Sequence, residues 1–333
     1  MGRQAYPLNT PRLHQLIQVP MLAAGLALAL GVPGAAQMPA LPQLAGTPAP
    51  SAPANPNQFI FVVAGDNRPA KESVKTTATF RQIFTEIGAM NPKPPFVALL
   101  GDIIYGKDTS NPKLISAEYG RFLKVIQSAN VTVYNAPGNH EMDAKGDVPS
   151  ANMQAWYSKH TQSLTYGAFT YGNSRFIALN TDDLPGAGDC AGSGAPAGAK
   201  KAKSKPDGDL SQAQLSQLAA ELEADKAMTN VFILMHRPIY AQKSSSQLAQ
   251  SCRDQLLQLF AQYPNVRYVM ASHEHLFYQP STTQPPPPPS YVVSGGAGAP
   301  LATGGYYNYL VFTVNGDQVT FEVRKPGAAS AAK

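Results

Sequence analysis

Residues 96–105 read FVALLGDIIY: five apolar residues, then Gly101 and Asp102 with no spacer between. A run of this length is too short for a helix of several turns, and its Phe, Val and Leu suit a strand buried on both faces. The same grammar recurs four more times. Residues 59–63 (FIFVV) lead to Gly65, Asp66, Asn67 and Arg68, and residues 131–134 (VTVY) lead to Gly138, Asn139, His140 and Glu141. Residues 231–235 (VFILM) end on His236, and residues 266–270 (VRYVM) pass through Ser272 to His273, Glu274 and His275. Helical patterns lie between them: 77–90, 114–128 with Tyr119, Phe122, Leu123 and Ile126 on one face, and 211–225, where Ser211 and Gln214 have capping-box spacing. Strand alternating with helix predicts an α/β fold with a largely parallel, helix-covered sheet. Ligands of such sheets sit beyond the carboxyl ends of the strands, so the five polar motifs should converge.

The chain has six histidines; His140, His236, His273 and His275 fall in these motifs, and only His14 and His160 lie outside. Together with Asp66, Asp102 and Asn139 they form an oxygen and nitrogen donor set suited to iron, manganese or zinc. A carboxylate can bridge two ions, and two ions about 3.5–4 Å apart can clamp a phosphate and stabilise both oxygens of an in-line displacement. Each motif alone has a plainer reading. Gly-Asp is a common turn, Gly-Asn-His-Glu can be a loop at a helix start, and a single His236 after a strand is more often hydrogen-bonded than a ligand. His273 and His275 are stronger, because period-two spacing in an extended segment aims both rings to one face. The joint appearance of all five motifs, in order and each at a strand end, is what makes a metal site.

The ordered set GD, GDxx, GNHE, H and HxH resembles the calcineurin-like metallophosphoesterases, across residues 59–323 and including the GGAGAP stretch at 295–300. The resemblance implies a four-layer α/β/β/α sandwich, two mixed sheets face to face with helices outside. It also implies a centre of two divalent or trivalent ions, Fe, Mn or Zn. Asp102, Asn139, His236 and His273 would hold one; Asp66, Asp102, His275 and one further ligand would hold the other. His140 would be the acid near the leaving group. Two positions depart from the common pattern. Most members have a histidine two residues after the first aspartate, where this chain has Arg68, which cannot coordinate a cation. The GDIIY motif resembles instead the purple acid phosphatase branch, which lacks that histidine and uses a tyrosine three residues after the bridging aspartate. That resemblance makes Tyr105 the replacement ligand; an aromatic of the core or cleft mouth is its other reading. Ser272 replaces the usual glycine of the last motif, which is tolerable where no positive φ is needed. Arg68 is left either to hold the substrate phosphate bidentately or to pair with a surface carboxylate.

The 333 residues are 44% apolar and 14% charged, enough for one large domain or two small ones, which excludes a wholly disordered chain. The net charge of +5 is local, since without Arg3, Arg12, Lys200, Lys201, Lys203 and Lys205 the balance is −1, so no nucleic-acid surface is expected. Residues 1–36 read as a signal peptide, with Arg3 and Arg12 ahead of an uncharged stretch at 21–32 and small residues at 34–36. That stretch is 12 residues long, where a spanning helix needs about 20, so no stable membrane span is expected. Residues 37–57, rich in Ala and Pro, read as an extended linker with no core of its own, residues 58–325 as the catalytic domain, and 326–333 as a tail. Export to the periplasm or beyond would place Cys190 and Cys252 in an oxidising medium, where they either pair or remain two buried thiols. Residues 183–209 and 285–289 carry no packing pattern and read as insertions; the lysine run either steers an anionic substrate or is a solvated tether.

The expectation is therefore an exported hydrolase of small phosphate monoesters, working by in-line attack of a metal-bound hydroxide with Asp102 bridging the ions and Glu141 orienting His140. Metal ligands do not separate monoesters from diesters, so a phosphodiesterase acting on nucleotides or lipid head groups is the alternative within the class. Outside it stands a metal-depleted pseudoenzyme that binds a phosphate ligand, which Arg68 favours. The sequence carries no signal for an oligomeric state.

Overall fold

Strand and helix alternate through most of the chain. The computed structural model describes residues 41–44, 50–71, 75–106, 111–142, 151–183, 190, 208–281 and 289–327. The proposed leader, most of the insertion after Asp183, most of the proline run and most of the tail lie outside the described residues. Those described belong to one unit, Met38–Lys333. The first half comprises β1 (Gln58–Ala64), α1 (Ala78–Gly88), β2 (Phe96–Leu100), α2 (Pro112–Ser128), β3 (Thr132–Ala136), the short α3 (Asn139–Met142) and α4 (Ala151–Thr161). The second comprises β4 (Gly167–Tyr171), β5 (Ser174–Ala178), α5 (Gln212–Ala224), β6 (Asn230–Leu234), α6 (Gln250–Phe260), β7 (Val266–Ala271), β8 (Phe277–Tyr278), β9 (Ser290–Ser294), β10 (Tyr309–Asn315) and β11 (Gln318–Arg324).

The strands form two mixed sheets, ordered β11-β10-β1-β2-β3 and β4-β5-β6-β7-β9-β8. β1, β2 and β3 run parallel, with Val62 beside Val97 and Leu99 beside Asn135, while β10 pairs antiparallel to β1. In the other sheet β5, β6, β7 and β9 are parallel, and β4 and β8 are antiparallel edges. Alternate side chains of each strand enter different cores, which is why the runs are continuously apolar. Between the sheets Phe61 stacks on Phe312 at 4.8 Å between ring centroids and meets Phe176 and Phe232 of the other sheet edge-on at 5.1 and 5.2 Å. Outside the first sheet Val62, Val97 and Leu99 pack with Phe80, Phe84, Tyr119 and Phe122 of α1 and α2. Outside the second, Ile177, Val231 and Ile233 pack with Leu218 and Leu222 of α5 and Leu256 of α6. The layers are thus α/β/β/α with two mixed sheets, as the resemblance implies, and not the single largely parallel sheet that the alternation alone suggests.

Helix starts follow their caps: Thr77 accepts from the Phe80 amide, and Ser211 accepts from that of Gln214. Three expectations need correction. Residues 37–57 are not a detached linker throughout, since Leu44 donates its amide to the Ala168 carbonyl at 2.8 Å and both Leu41 and Leu44 are buried. The insertion is likewise anchored at its ends: Asp182 bridges Asp209, and Cys190 pairs with Cys252 in a disulfide with Cα atoms 5.0 Å apart. His273 and His275 lie beyond β7 with φ of 68° and 54°, so their common direction comes from left-handed turns and not from an extended strand. Among the described residues no helix is long and apolar enough to cross a membrane.

Candidate metal centre

The loops after β1, β2, β3, β6 and β7 meet at one end of the sandwich. Two of them interlock: the Asp66 amide donates to Gly101 and the Arg68 amide to Asp102, at 3.1 and 2.9 Å. Asp66 and Asp102 have φ of 59° and 54°, so four of the candidate ligands, counting His273 and His275, adopt backbone that non-glycine residues seldom take. Such conformations cost on the order of 1 kcal/mol each and persist where the surroundings fix them. For Asp102 the fixing group is Glu141. Its buried carboxylate accepts from the amides of Asp102, Ile103, Ile104 and Gly138 at 2.8 to 3.1 Å. Burial, with Asp102 adding to it, pushes the Glu141 carboxyl well above its ordinary range. Glu141 was expected to orient His140; its contacts are instead with the loop that carries Asp102. Gly138 is needed for the same packing, because a Cβ there would fall 2.4 Å from Asp102 Oδ1.

The side chains converge in two groups. In one, His236 Nε2 faces Asn139 Oδ1 at 3.1 Å, Asp102 Oδ1 at 3.3 Å and His273 Nδ1 at 3.0 Å. His236 Nδ1 donates to the Leu100 carbonyl at 2.8 Å, which turns the Nε2 lone pair inward. In the other group Asp66, Asp102 and His275 bring donor atoms within 4.8 Å of one another. His275 Nδ1 donates to the Pro300 carbonyl at 2.6 Å, and its Nε2 stands 3.4 Å from Asp66 Oδ1. That Asp66 oxygen is buried and makes no hydrogen bond. Oxygen and nitrogen acceptors turned toward each other, with one left unsatisfied, are a set that a cation would complete. The residues present therefore fit a two-ion centre.

Electrostatics point the same way. Burial would raise the Asp102 carboxyl, but His140, His236, Arg68 and His273 outweigh it and hold the group well below its usual range. Burial, Arg237 and His236 push His273 well below the usual imidazole value. His275 is opposed by burial yet raised by Asp66.

The remaining predicted residues divide. His140 lines the cleft, its amide donating to Asp102 Oδ1 at 3.2 Å, its Nε2 3.8 Å from Asp102 Oδ2 and its Nδ1 against the Tyr105 carbonyl. Arg68 pairs through Nε with Asp102 Oδ2 at 3.1 Å, a buried carboxylate and not a surface one. The Tyr105 ring lies beside that of His140, 5.6 Å between centroids, and is not among the residues lining the cleft. The cleft holds about 300 Å³ between Arg68, Asp102, Asn139, His140, Lys243, His273, His275 and Pro300 to Ala302. Ser272 keeps an ordinary φ, as expected, and donates to the Leu100 carbonyl at 2.6 Å. The GGAGAP stretch lies behind Asp66, with the Ala299 amide donating to the Asp66 carbonyl at 2.7 Å. Sequence reading missed Arg237, whose guanidinium is clasped by Asp182 and reaches His273. Its position directly after His236 was the only available signal.

Comparison with known proteins agrees with this geometry. The family model described as calcineurin-like phosphoesterase matches residues 61–277. No curated protein matches by sequence. Among solved structures, a dimetal phosphatase from Danio rerio is similar with a TM-score of 0.59 and 16% identity, over 80% of this chain and 96% of that one. The purple acid phosphatase PPD1 from yellow lupin (Lupinus luteus) seeds matches with a TM-score of 0.59 and 16% identity, over 84% of this chain and 54% of that one. GAP50, the anchor in the inner membrane complex of Plasmodium, has a TM-score of 0.52 and 11% identity, covering 83% and 87%. At these identities the likeness is one of fold.

Proposed function

We propose that this chain, which belongs to the calcineurin-like phosphoesterase family, is an exported hydrolase of small phosphate monoesters. The observation that carries the reading is the double convergence of potential metal ligands: His236 Nε2 among Asn139, Asp102 and His273, and the orphaned Asp66 Oδ1 opposite His275. Two ions of Fe, Mn or Zn at these positions would supply positive charge to the phosphate and activate the attacking water. Asp102 Oδ1 faces His236, and Asp102 also offers a ligand atom to the group with Asp66 and His275, so it is placed to serve both. His140 keeps its Nδ1 on the Tyr105 carbonyl, which aims Nε2 into the cleft to give a proton to the departing alkoxide. Arg68, at the cleft wall, is placed to hold a phosphate oxygen. Tyr105 is the candidate for the fourth ligand beside Asp66 and His275. Export rests on the leader and predicts a mature start near Gln37.

A second reading rests on Arg68. Its guanidinium already occupies Asp102 Oδ2 at 3.1 Å, as a fixed cation would in a phosphate-binding protein with one ion or none. One experiment separates the two: metal content of purified protein, then turnover of a panel of monoesters and diesters with Mn, Zn and Fe added singly. About two ions per chain and preference for monoesters support the phosphatase. Preference for diesters replaces the substrate class, and one ion or none with no turnover supports the binder.

A further inference from the structure

We infer that Arg237 is a positioning residue that weakens His273 as a metal ligand and so lowers the affinity of the group formed by Asn139, His236 and His273 for its ion. The inference rests on the two-ion reading above. Arg237 is 5% exposed and Asp182 is fully buried, and the guanidinium donates from both Nε and Nη2 to Asp182 Oδ1 at 2.9 and 2.8 Å. Its amide donates to Thr181 Oγ1 at 3.1 Å. The side chain runs over Gly208, where a Cβ would fall 2.3 Å from Arg237 Cδ, and Gly208 and Asp209 are themselves pinned by the Leu248 and Asp182 bridges. The arginine is thus walled in and cannot swing away.

Its remaining arm, Nη1, stands 2.8 Å from His273 Nε2. A guanidinium N–H can only donate, so Nε2 must accept. A neutral imidazole has one ring hydrogen, which this contact places on Nδ1, facing His236 Nε2 at 3.0 Å. The two rings then hydrogen-bond to each other across the position an ion would take. For His273 to offer Nδ1 to a cation, the hydrogen must move to Nε2, where it meets a donor and not an acceptor. His236 and His275 have the opposite arrangement, with a backbone carbonyl taking the outer N–H of each. Partners of that kind orient a ligand and raise its basicity, and changing them shifts metal affinity by about 10- to 100-fold. Arg237 does the reverse at one ligand only.

The test is calorimetric titration of chelator-stripped full-length protein with Mn²⁺, with His236→Ala identifying which binding step belongs to this group. The amide pair Asp182→Asn with Arg237→Gln avoids a buried unpaired carboxylate and removes the guanidinium donor from His273 Nε2, so that this nitrogen is free to carry the ring hydrogen. It should tighten that step about tenfold or more and leave the other unchanged, whereas Arg237→Lys, still a donor, should match wild type. A purely structural role predicts weaker binding in the amide pair. An unchanged or weakened step, or equal changes in both, overturns the inference while leaving the two-ion reading intact. No Mn²⁺ binding in wild type overturns both.

Discussion

At the level of single residues the site is held by backbone in rare conformations. Asp66, Asp102, His273 and His275 each have positive φ, and the groups that enforce this are amides and carbonyls of neighbouring loops together with Glu141. The identities of the ligands were legible because each motif is a few consecutive letters after an apolar run. Arg237 was not, because its partner Asp182 is 55 positions away and nothing local pairs them. The proton donor is the clearest point of test. His140→Ala should retain metal while lowering turnover by about 10²- to 10⁴-fold, the usual range for general acid catalysis, with esters of very good leaving groups suffering least. Equal losses across leaving groups would show that His140 acts in some other way. If Tyr105 ligates a trivalent iron, the phenolate–iron complex would absorb visible light. Iron-loaded protein should be coloured, Tyr105→Phe colourless, and a colourless wild type would remove Tyr105 from the centre.

Helices show how far local signals reach. The Ser211 cap of α5 was readable, but Gln214 does not reach back to it; its side-chain oxygen accepts from the Asn180 amide at 2.8 Å, a tertiary use of a residue that fits a local motif. α6 was missed, since its N-cap Ala249 makes no side-chain cap. The end of α5 carries a testable charge. Asp225 is pushed up to about 6 by burial, with Arg175 opposing and Glu221 adding to the rise; Arg175 Nε is 3.2 Å from Asp225 and 2.8 Å from Glu221. An unfolded aspartate titrates near 3.9, so between about 4 and 6 the folded chain binds the proton and the unfolded chain does not. This carboxylate therefore adds stability as pH falls from above 6 toward 4. Melting temperatures of wild type and Asp225→Asn, compared at pH 7.5 and 4.5, should converge on a variant that lacks this acid-side gain; identical pH slopes would refute the assignment.

On the scale of the whole molecule, the parallel strands and helices α1, α2 and α5 were readable from period and order, the pairing of two mixed sheets only from the family resemblance, and the way the chain enters them not at all. Ala- and Pro-rich composition between residues 37 and 57 hides two leucines that enter separate cores. Leu41, 5% exposed, packs with Ala168, Leu218 and Leu222 outside the second sheet, and Leu44, 2% exposed, joins Phe61, Phe169 and Phe176 between the sheets. The Leu41 amide also donates to Glu221 at 3.0 Å, and the Pro42 carbonyl accepts from Ala168 at 2.9 Å. Truncating a buried leucine to alanine costs about 2–5 kcal/mol, and a segment near the start of the folded unit can relax, which favours the lower end. Because the two side chains belong to different clusters their effects should add. Leu41→Ala with Leu44→Ala should then lose roughly 4 kcal/mol in denaturant unfolding, against a change within about 0.5 kcal/mol for Ala52→Ser on the exposed part of the same stretch. A double variant as stable as that control would mean that residues 41–44 are a detachable strap, and the folded domain would then begin at Gln58 as composition alone suggests.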